Sequence, residues 1–168
     1  MKNTVLLQAS SRSNGDSRTV INYLNVTNQF DIIDLRTKNI GHFDYDFNNV
    51  NDDFIGLMAE IIEKYDTLVF VTPVYWYTMS GILKVFFDRF SDLLKTHKEL
   101  RRKLRGKQMA MMSCSNSNDL KEGFTMPFTE SANYLGMYYL GDIHTWVVNG
   151  VIPDEVKINI DIFRETIS

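Results

Sequence analysis

Buried strands and amphipathic helices alternate along this chain, and no other feature restricts its fold as strongly. The clearest strand, 67–71, is apolar on both faces, as expected in the middle of a parallel sheet. Apolar residues from Phe54 to Tyr65 recur at the spacing of one helix face. The predicted strands are 4–7, 30–35, 67–71, 108–113 and 138–148, and apolar helix faces are predicted within 20–24, 54–65, 82–94, 124–135 and 156–167. This alternation predicts an α/β fold, a parallel sheet between two helical layers.

Composition narrows the class of protein further. With 168 residues, 44% of them hydrophobic, and a mean hydropathy of −0.20, the chain predicts one soluble globular domain over 1–168. The net charge of −3 argues against general nucleic-acid binding. No apolar run is long enough for a membrane helix, so we expect no membrane partner. Since a single cysteine cannot form an internal disulfide, we expect a cytoplasmic protein.

Hydroxyl groups, an arginine and a glycine follow the first predicted strand, in the segment 8–18. A strand-to-helix turn presents unpaired backbone N–H groups and the positive end of the helix dipole. The serines and Arg12 would add further donors, and Gly15 would let the backbone curve round an anion. The segment therefore favours a phosphate site. The alternative is an ordinary helix start that is capped by Asp16 or Ser17.

Three consecutive aromatic residues, Tyr75, Trp76 and Tyr77, follow the third predicted strand. They cannot all enter the core, so at least one should face a ligand or a partner chain, and a flat ring could stack there. The alternative is a hydrophobic loop that packs on the next helix or forms a dimer surface. The segment 113–118, after the fourth strand, could hydrogen-bond a heterocycle or form an ordinary turn. In a parallel sheet these loops share the edge where ligands bind.

The three loops together resemble the NAD(P)H-dependent FMN reductase and quinone reductase group of flavodoxin-like proteins. Residues 9–17, reading Ala-Ser-Ser-Arg-Ser-Asn-Gly-Asp-Ser, are similar to the phosphate signature of that family. Residues 72–89 match more closely, with Thr-Pro-Val-Tyr-Trp first, then Ser-Gly, Leu-Lys and Asp-Arg. The resemblance implies a flavodoxin-like three-layer sandwich, with a five-stranded parallel sheet of order 2-1-3-4-5.

The same resemblance implies bound FMN, with NADH or NADPH as electron donor, and a homodimer or homotetramer. It implies an enzyme that passes a hydride from NAD(P)H through the bound flavin to a small acceptor, such as a quinone or another flavin. The residues that it assigns to the FMN phosphate are Ser10, Arg12, Asn14 and Ser17. Those that it assigns to the ribityl chain and the ring are Pro73, Val74, Tyr75, Trp76 and Tyr77, with Ser113 on the other side of the ring. This scheme requires no acid or base, and we assign no catalytic residue.

Two residues depart from the family pattern. Ala9 replaces the usual glycine, and Tyr77 stands where many relatives have a small residue, so it would narrow access to the flavin. The main alternative function is a flavodoxin-type carrier, which binds FMN but has no nicotinamide reaction of its own. Such carriers tend to be strongly acidic, whereas this chain is only mildly so, which favours an enzyme. A phosphate-sensing domain of the same fold is a weaker alternative.

The remaining chemically active residues have simpler interpretations. We expect Cys114 to be a small buried apolar residue, His42 and His97 to lie on the surface, and His144 to lie in a strand. The spacing of the histidines indicates no metal site. The basic segment 95–107 is typical of a solvated helix face, although it could attract the 2′-phosphate of NADPH or an acidic partner.

Overall fold

The structure, a computed structural model, describes residues 3–168. Its sheet consists of β1 (Thr4–Gln8), β2 (Asp31–Asp34), β3 (Thr67–Pro73), β4 (Gln108–Ser115) and β5 (Tyr138–Trp146). The strand order is β2-β1-β3-β4-β5, and every neighbouring pair is parallel. The predicted α/β fold and the implied strand order are therefore confirmed. The bounds of the strands differ from the prediction by at most two residues.

Helices cover both faces of the sheet. They are α1 (Asp16–Leu24), α2 (Asp53–Lys64), α3 (Gly81–Asp88), α4 (Phe90–Lys95), α5 (Lys98–Leu104), α6 (Met126–Leu135) and α7 (Asp154–Ile167). One face packs against α1 and α7, and the other packs against α2 to α6. In β1, Val5 and Leu7 enter the second of these cores and Leu6 enters the first, because successive side chains of a strand point to opposite faces. None of the helices within residues 3–168 is long and apolar enough to cross a membrane.

The predicted helix 82–94 is two helices, α3 and α4, separated at Arg89. Arg89 is only 1% exposed, and its guanidinium donates to Asp52 Oδ2 at 2.5 Å and to Asp92 Oδ2 at 2.6 Å. It also donates to the carbonyls of Gly41 and Asn49, at 3.0 and 3.1 Å, in the loop before α2. The apolar stripe continues through both helices, so its spacing does not reveal the break. A buried ion-pair cluster thus anchors a long loop to the helical layer.

The carboxyl ends of β1, β3 and β4 lie side by side. Gln8 is paired with Val71, and Thr72 is paired with Ser113. The loops 9–15, 74–80 and 116–125 therefore leave the sheet from one edge, where ligands of such sheets bind.

Candidate functional site

The turn after β1 borders a cavity of about 240 Å³ at the carboxyl edge of the sheet. Gly15 is the N-cap of α1, and no side chain caps this helix. Within residues 3–168, the amides of Asp16 and Ser17 donate to no protein acceptor. The alternative in which Asp16 or Ser17 caps the helix is therefore wrong. Free N–H groups at the positive end of a helix suit an anion.

Donor side chains converge on this first cavity. Ser10, Arg12 and Ser17 line it, and both serines are buried. Arg12 makes no ion pair within residues 3–168, so its guanidinium is available to a ligand. Asp16 is the one acidic residue among those lining the cavity, and it is exposed. The cavity therefore combines backbone donors, hydroxyls and one arginine, as a phosphate monoester requires.

The buried side-chain amide of Gln8 stabilises the conformation of the turn after β1. Gln8 Nε2 donates to the Ser13 carbonyl at 3.0 Å, and Arg18 Nε donates to the same oxygen at 3.3 Å. Gly15 has an extended backbone with φ of −96°, so it is not needed for a left-handed conformation. A Cβ added there would lie 3.4 Å from Arg12 Nε, in van der Waals contact with the arginine side chain.

Two hydrogen bonds join the turn after β1 to the loop after β3. Ser11 Oγ and the Tyr75 hydroxyl lie 2.5 Å apart, and Ser80 Oγ donates to the Ala9 carbonyl at 2.6 Å. The same Ser80 hydroxyl accepts from the Leu83 amide at 3.1 Å and so caps α3. The side chain of Ala9 is buried in the core and lines neither cavity of this site.

The aromatic residues form a tight hairpin turn. The Tyr75 amide donates to the Thr78 carbonyl at 2.9 Å, and the Thr78 amide donates back to the Tyr75 carbonyl at 3.1 Å. Between them, Trp76 and Tyr77 have φ of 48° and 64°. Two positive φ values are typical of a type I′ turn, which favours Asn and Gly. Bulky side chains there carry strain of about 1–3 kcal/mol per residue. Trp76 is 89% exposed and Tyr77 is 66% exposed.

A second cavity, of about 290 Å³, adjoins the first. Its lining residues are Val74, Trp76, Tyr77, Ser115, Asn116, Ser117, Asp119 and His144. The two cavities share Val74, Ser115 and Asn116, so one extended ligand could enter both. The second cavity has aromatic groups on one side and a polar loop on the other. It therefore suits a flat heterocycle with a polar edge.

The structure brings most of the predicted site residues together. Those that line the first cavity are Ser10, Arg12, Ser17, Pro73, Val74 and Tyr75, and Trp76 and Tyr77 line the second. Asn14 is exposed and lines neither cavity. Ser113 is buried and also lines neither cavity, and its hydroxyl lies 2.8 Å from His144 Nδ1. The polar loop predicted from the sequence ends at residue 118 and so omits Asp119, which lines the second cavity from the next position. His144 is not assigned from the sequence, because it reaches the site from β5, through tertiary packing.

Cys114 lines the first cavity but is buried, in agreement with the expectation from the sequence. Burial raises the pKa of its thiol to about 11, although hydrogen bonds with Thr145 and Ser17 oppose this shift. The thiol is therefore protonated at neutral pH and is a poor nucleophile.

A third region of the described surface has a different character. A wider groove of about 650 Å³ lies between α4 and α6, and mostly apolar residues line it. Within residues 3–168, no group of three or more His, Cys, Asp and Glu side chains could hold a metal ion. The basic helix α5 leads into the amino end of β4, at the edge opposite the two cavities, which favours a solvated helix face.

Relatives of the chain agree with this geometry. Residues 2–151 match the family described as NADPH-dependent FMN reductase. YwqN of Bacillus subtilis, which is named as an NAD(P)H-dependent FMN-containing oxidoreductase, is 28% identical over 62% of this chain and 59% of its own length. YdeQ of the same organism, named as an NAD(P)H oxidoreductase, is 30% identical over 55% of this chain and 52% of its own length. The matches thus span little more than half of these relatives.

Solved structures share the fold over nearly the whole chain. The Trp repressor binding protein of Bacillus subtilis has a TM-score of 0.73 and 19% identity, with 99% of this chain and 98% of that chain covered. An NADPH-quinone reductase of P. pentosaceus has a TM-score of 0.70 and 15% identity, with the same coverage of both chains. General stress protein 14 of Treponema denticola, solved in complex with FMN, has a TM-score of 0.61, 15% identity, and coverage of 97% and 94%. The family match extends from the turn after β1 through the loops of both cavities, so this chain belongs to the NADPH-dependent FMN reductase family.

Proposed function

We propose that this protein is an FMN-dependent oxidoreductase that takes a hydride from NADH or NADPH and reduces a small acceptor, such as a quinone or another flavin. One observation carries the proposal. A donor-rich cavity at the start of α1 adjoins a cavity with aromatic groups on one side, and three lining residues are common to both. A phosphate joined to a flat ring by a short chain has the matching shape and chemistry.

Each wall of the paired cavities has a distinct role in this proposal. Arg12, Ser10, Ser17 and the free amides of α1 would hold the phosphate of FMN. Pro73, Val74 and Tyr75 would border the chain between phosphate and ring. Trp76 and Tyr77 would flank the ring and restrict the second substrate to small or flat molecules. Bound FMN would supply the redox chemistry, while the protein binds and orients it.

Titration of the purified protein with FMN tests the proposal directly. We expect the fluorescence of FMN to be quenched with saturation at one equivalent per chain. Addition of NADH or NADPH under anaerobic conditions should then bleach the absorbance of the oxidised flavin. The nicotinamide that bleaches it at the higher rate is the preferred electron donor. A protein that binds no FMN, or binds it no better than riboflavin, would overturn the proposal.

Steady-state turnover separates this proposal from the electron-carrier alternative. We expect catalytic consumption of NADH or NADPH when a quinone or free flavin is supplied. FMN binding without nicotinamide oxidation, together with reduction by a separate reductase, would instead indicate a flavodoxin-type carrier.

We also propose that the protein acts in the cytoplasm. The single cysteine is buried and unpaired within the described residues, which suits a compartment that does not form disulfides. Cell fractionation with an antibody against the chain would test this, and recovery in an extracellular or periplasmic fraction would contradict it.

A further inference from the structure

His144 has an arrangement of hydrogen bonds that determines which ring nitrogen carries the proton. It lies near the carboxyl end of β5, lines the second cavity, and packs against Trp146 with 5.9 Å between ring centroids. Its Nε2 lies 3.0 Å from the Ser117 carbonyl, and its Nδ1 lies 2.8 Å from Ser113 Oγ. A carbonyl oxygen only accepts, so Nε2 must donate. In the neutral ring, Nδ1 then accepts from the Ser113 hydroxyl.

The carbonyl that His144 contacts is the centre of the polar loop after β4. Ser115 Oγ donates to this Ser117 oxygen at 2.6 Å, and the Asp119 amide donates to it at 3.0 Å. The Ser117 amide in turn donates to Ser115 Oγ at 3.2 Å. Among the described residues, Ser115 and Asp119 donate to the Ser117 oxygen from within the segment 115–119, whereas His144 donates to it from β5. The imidazole therefore ties the loop to β5.

The loop that His144 holds carries free backbone donors. Within residues 3–168, the amides of Asn116 and Asn118 donate to no protein acceptor. In a trans peptide the C=O and N–H groups point in opposite directions. Because the Ser117 carbonyl is turned toward His144, the Asn118 N–H of the same peptide is turned away from it. Asn118 lines neither cavity, whereas Asn116 lines both, so the Asn116 N–H is the free donor beside the ring site. Without the imidazole, the Ser117 carbonyl would keep the Ser115 hydroxyl and the Asp119 amide as donors, but the segment that carries the free Asn116 N–H would lose this side-chain hydrogen bond to β5.

We propose that His144 is a positioning residue, which fixes the backbone of 115–119 so that the loop presents N–H donors to the polar edge of the ring. The identity of the ring as FMN rests on the proposed function. Reduced FMN carries more negative charge at its pyrimidine edge than oxidised FMN, so fixed donors there stabilise the reduced form selectively. His144 would thus raise the midpoint potential without touching the reacting atoms.

Two conservative variants separate the roles of the ring nitrogens. The amide of Gln reaches about as far from the backbone as Nε2, so His144→Gln keeps a donor for the Ser117 carbonyl. The amide of Asn reaches only as far as Nδ1, so His144→Asn keeps a partner for Ser113 but loses the bond to the loop. His144→Leu removes both. His42→Leu, at an exposed histidine in the loop before α2, is the matched control.

The readout is the affinity for FMN in its oxidised and its dithionite-reduced form. For His144→Asn and His144→Leu we expect at least a tenfold loss of affinity for reduced FMN relative to oxidised FMN. A tenfold selective loss corresponds to a two-electron midpoint potential about 30 mV more negative. His144→Gln should stay within threefold of the wild type, and His42→Leu should not differ from it. Equal losses for both redox forms, or a Gln variant as poor as the Leu variant, would overturn the proposal.

A second measurement does not depend on FMN. Nitrogen-15 NMR of the ligand-free protein should show His144 with its proton on Nε2. The amide resonances of 115–119 should move in His144→Asn and His144→Leu while thermal unfolding remains cooperative. A proton on Nδ1, or loop resonances unaffected by either variant, would overturn the role of His144. Failure of the wild type to bind FMN would overturn the proposed function, but the NMR measurement on the ligand-free protein would still test the role of His144.

Discussion

At the scale of single residues, the candidate site depends on donor side chains that are available to a ligand. Arg12 is the clearest case, because it lines the first cavity and forms no ion pair within the described residues. A structural arginine would be paired, as Arg89 is with Asp52 and Asp92. We propose that the partner of this guanidinium, which lies beside an uncapped helix start, is an anion from outside the chain.

Replacement of this arginine should therefore affect the phosphate and not the ring. A hydrogen bond to a charged group contributes about 1.5–3 kcal/mol, so Arg12→Gln should weaken FMN binding by roughly 10- to 100-fold. Riboflavin, which lacks the phosphate, should bind Arg12→Gln and the wild type equally. Fluorescence titration of both ligands measures this. Arg102→Gln, at an exposed position of α5, is the control and should change neither affinity.

The aromatic turn makes an unusual prediction about stability. Tyr77 has φ of 64°, so Tyr77→Gly should relieve backbone strain and stabilise the protein by about 0.5–1.5 kcal/mol. The preference for small or flat acceptors should weaken at the same time, since the variant loses an aromatic wall of the second cavity. Urea unfolding measures the free energy of unfolding, and an unchanged dependence of this free energy on urea concentration would show that the substitution does not alter the unfolded state.

Tyr134 is a matched control for this substitution. It is 66% exposed, as Tyr77 is, but it lies in α6. Tyr134→Gly should destabilise by about 1 kcal/mol, because it places a glycine in the last turn of α6 and removes the contact of the Arg101 guanidinium with the Tyr134 ring. A Tyr77→Gly variant that is destabilised as much as Tyr134→Gly would show that the turn is not strained.

At the scale of secondary-structure elements, the Arg89 cluster joins α3, α4 and the start of α2. Asp52 caps α2 by accepting from the Phe54 amide at 2.9 Å while it also binds Arg89. Removal of the cation would leave two buried carboxylates without their partner. Arg89→Met should therefore cost about 3–5 kcal/mol, as urea unfolding would measure. Lys84→Met breaks only an exposed pair with Asp88 and should cost less than about 1 kcal/mol. Similar losses for the two variants would contradict a buried cluster.

The same cluster should make stability depend on pH in the acid range. Burial alone would raise the pKa of Asp52, but hydrogen bonds from Arg89, Phe54 and Gly41 outweigh it and lower the pKa below its ordinary value of 3.8. As the pH falls, the Asp52 carboxylate is therefore protonated in the unfolded chain before it is protonated in the folded chain. Its contribution to the free energy of unfolding is complete above pH 3.8 and is lost as the pH falls through the pKa of the folded state. Unfolding curves measured between about pH 5 and pH 2 should show this loss. Asp52→Asn should show a shallower dependence, and an unchanged slope would contradict the assignment.

The elements that the sequence predicts well are those with a single strong periodicity. The strand 67–71 and the helix face from Phe54 to Tyr65 depend on local apolar spacing, and the structure confirms both. The break at Arg89 was not predictable, because its cause is a contact with Asp52, 37 positions away. The Trp76–Tyr77 turn lacks the Asn and Gly residues that normally mark such turns, so composition gave no signal of its conformation.

The candidate site was predictable to a similar extent. The loops themselves follow from the fold, because the carboxyl ends of parallel strands share one edge. Most predicted side chains line a cavity, whereas Asn14 and Ser113 do not. His144, by contrast, lines the second cavity but is not assigned from the sequence. Its bond to the Ser117 carbonyl joins residues that are 27 positions apart. No spacing rule in a single sequence identifies such a pair.

At the scale of the whole molecule, we propose that the protein forms a homodimer or homotetramer. A tryptophan that is 89% exposed beside the candidate site supports this proposal, because such side chains are typical of surfaces that contact a partner. Sedimentation velocity over a range of concentrations should reveal the larger species. Trp76→Ser should shift the population toward the monomer, and a monomer at every concentration, with or without FMN, would contradict the proposal.

The two outer strands of the sheet limit how copies of this chain can associate. β2 has only four residues, and the pairing of β5 with β4 is interrupted between Met109 and Ala110 next to Gly141, which has φ of 119°. A short edge strand and an irregular edge strand are both poor templates for an added strand. Sheets of neighbouring molecules should therefore not fuse end to end into fibres. We therefore expect any oligomer of this protein to form through its helices and loops, with the five-stranded sheet of each copy separate from that of its neighbour.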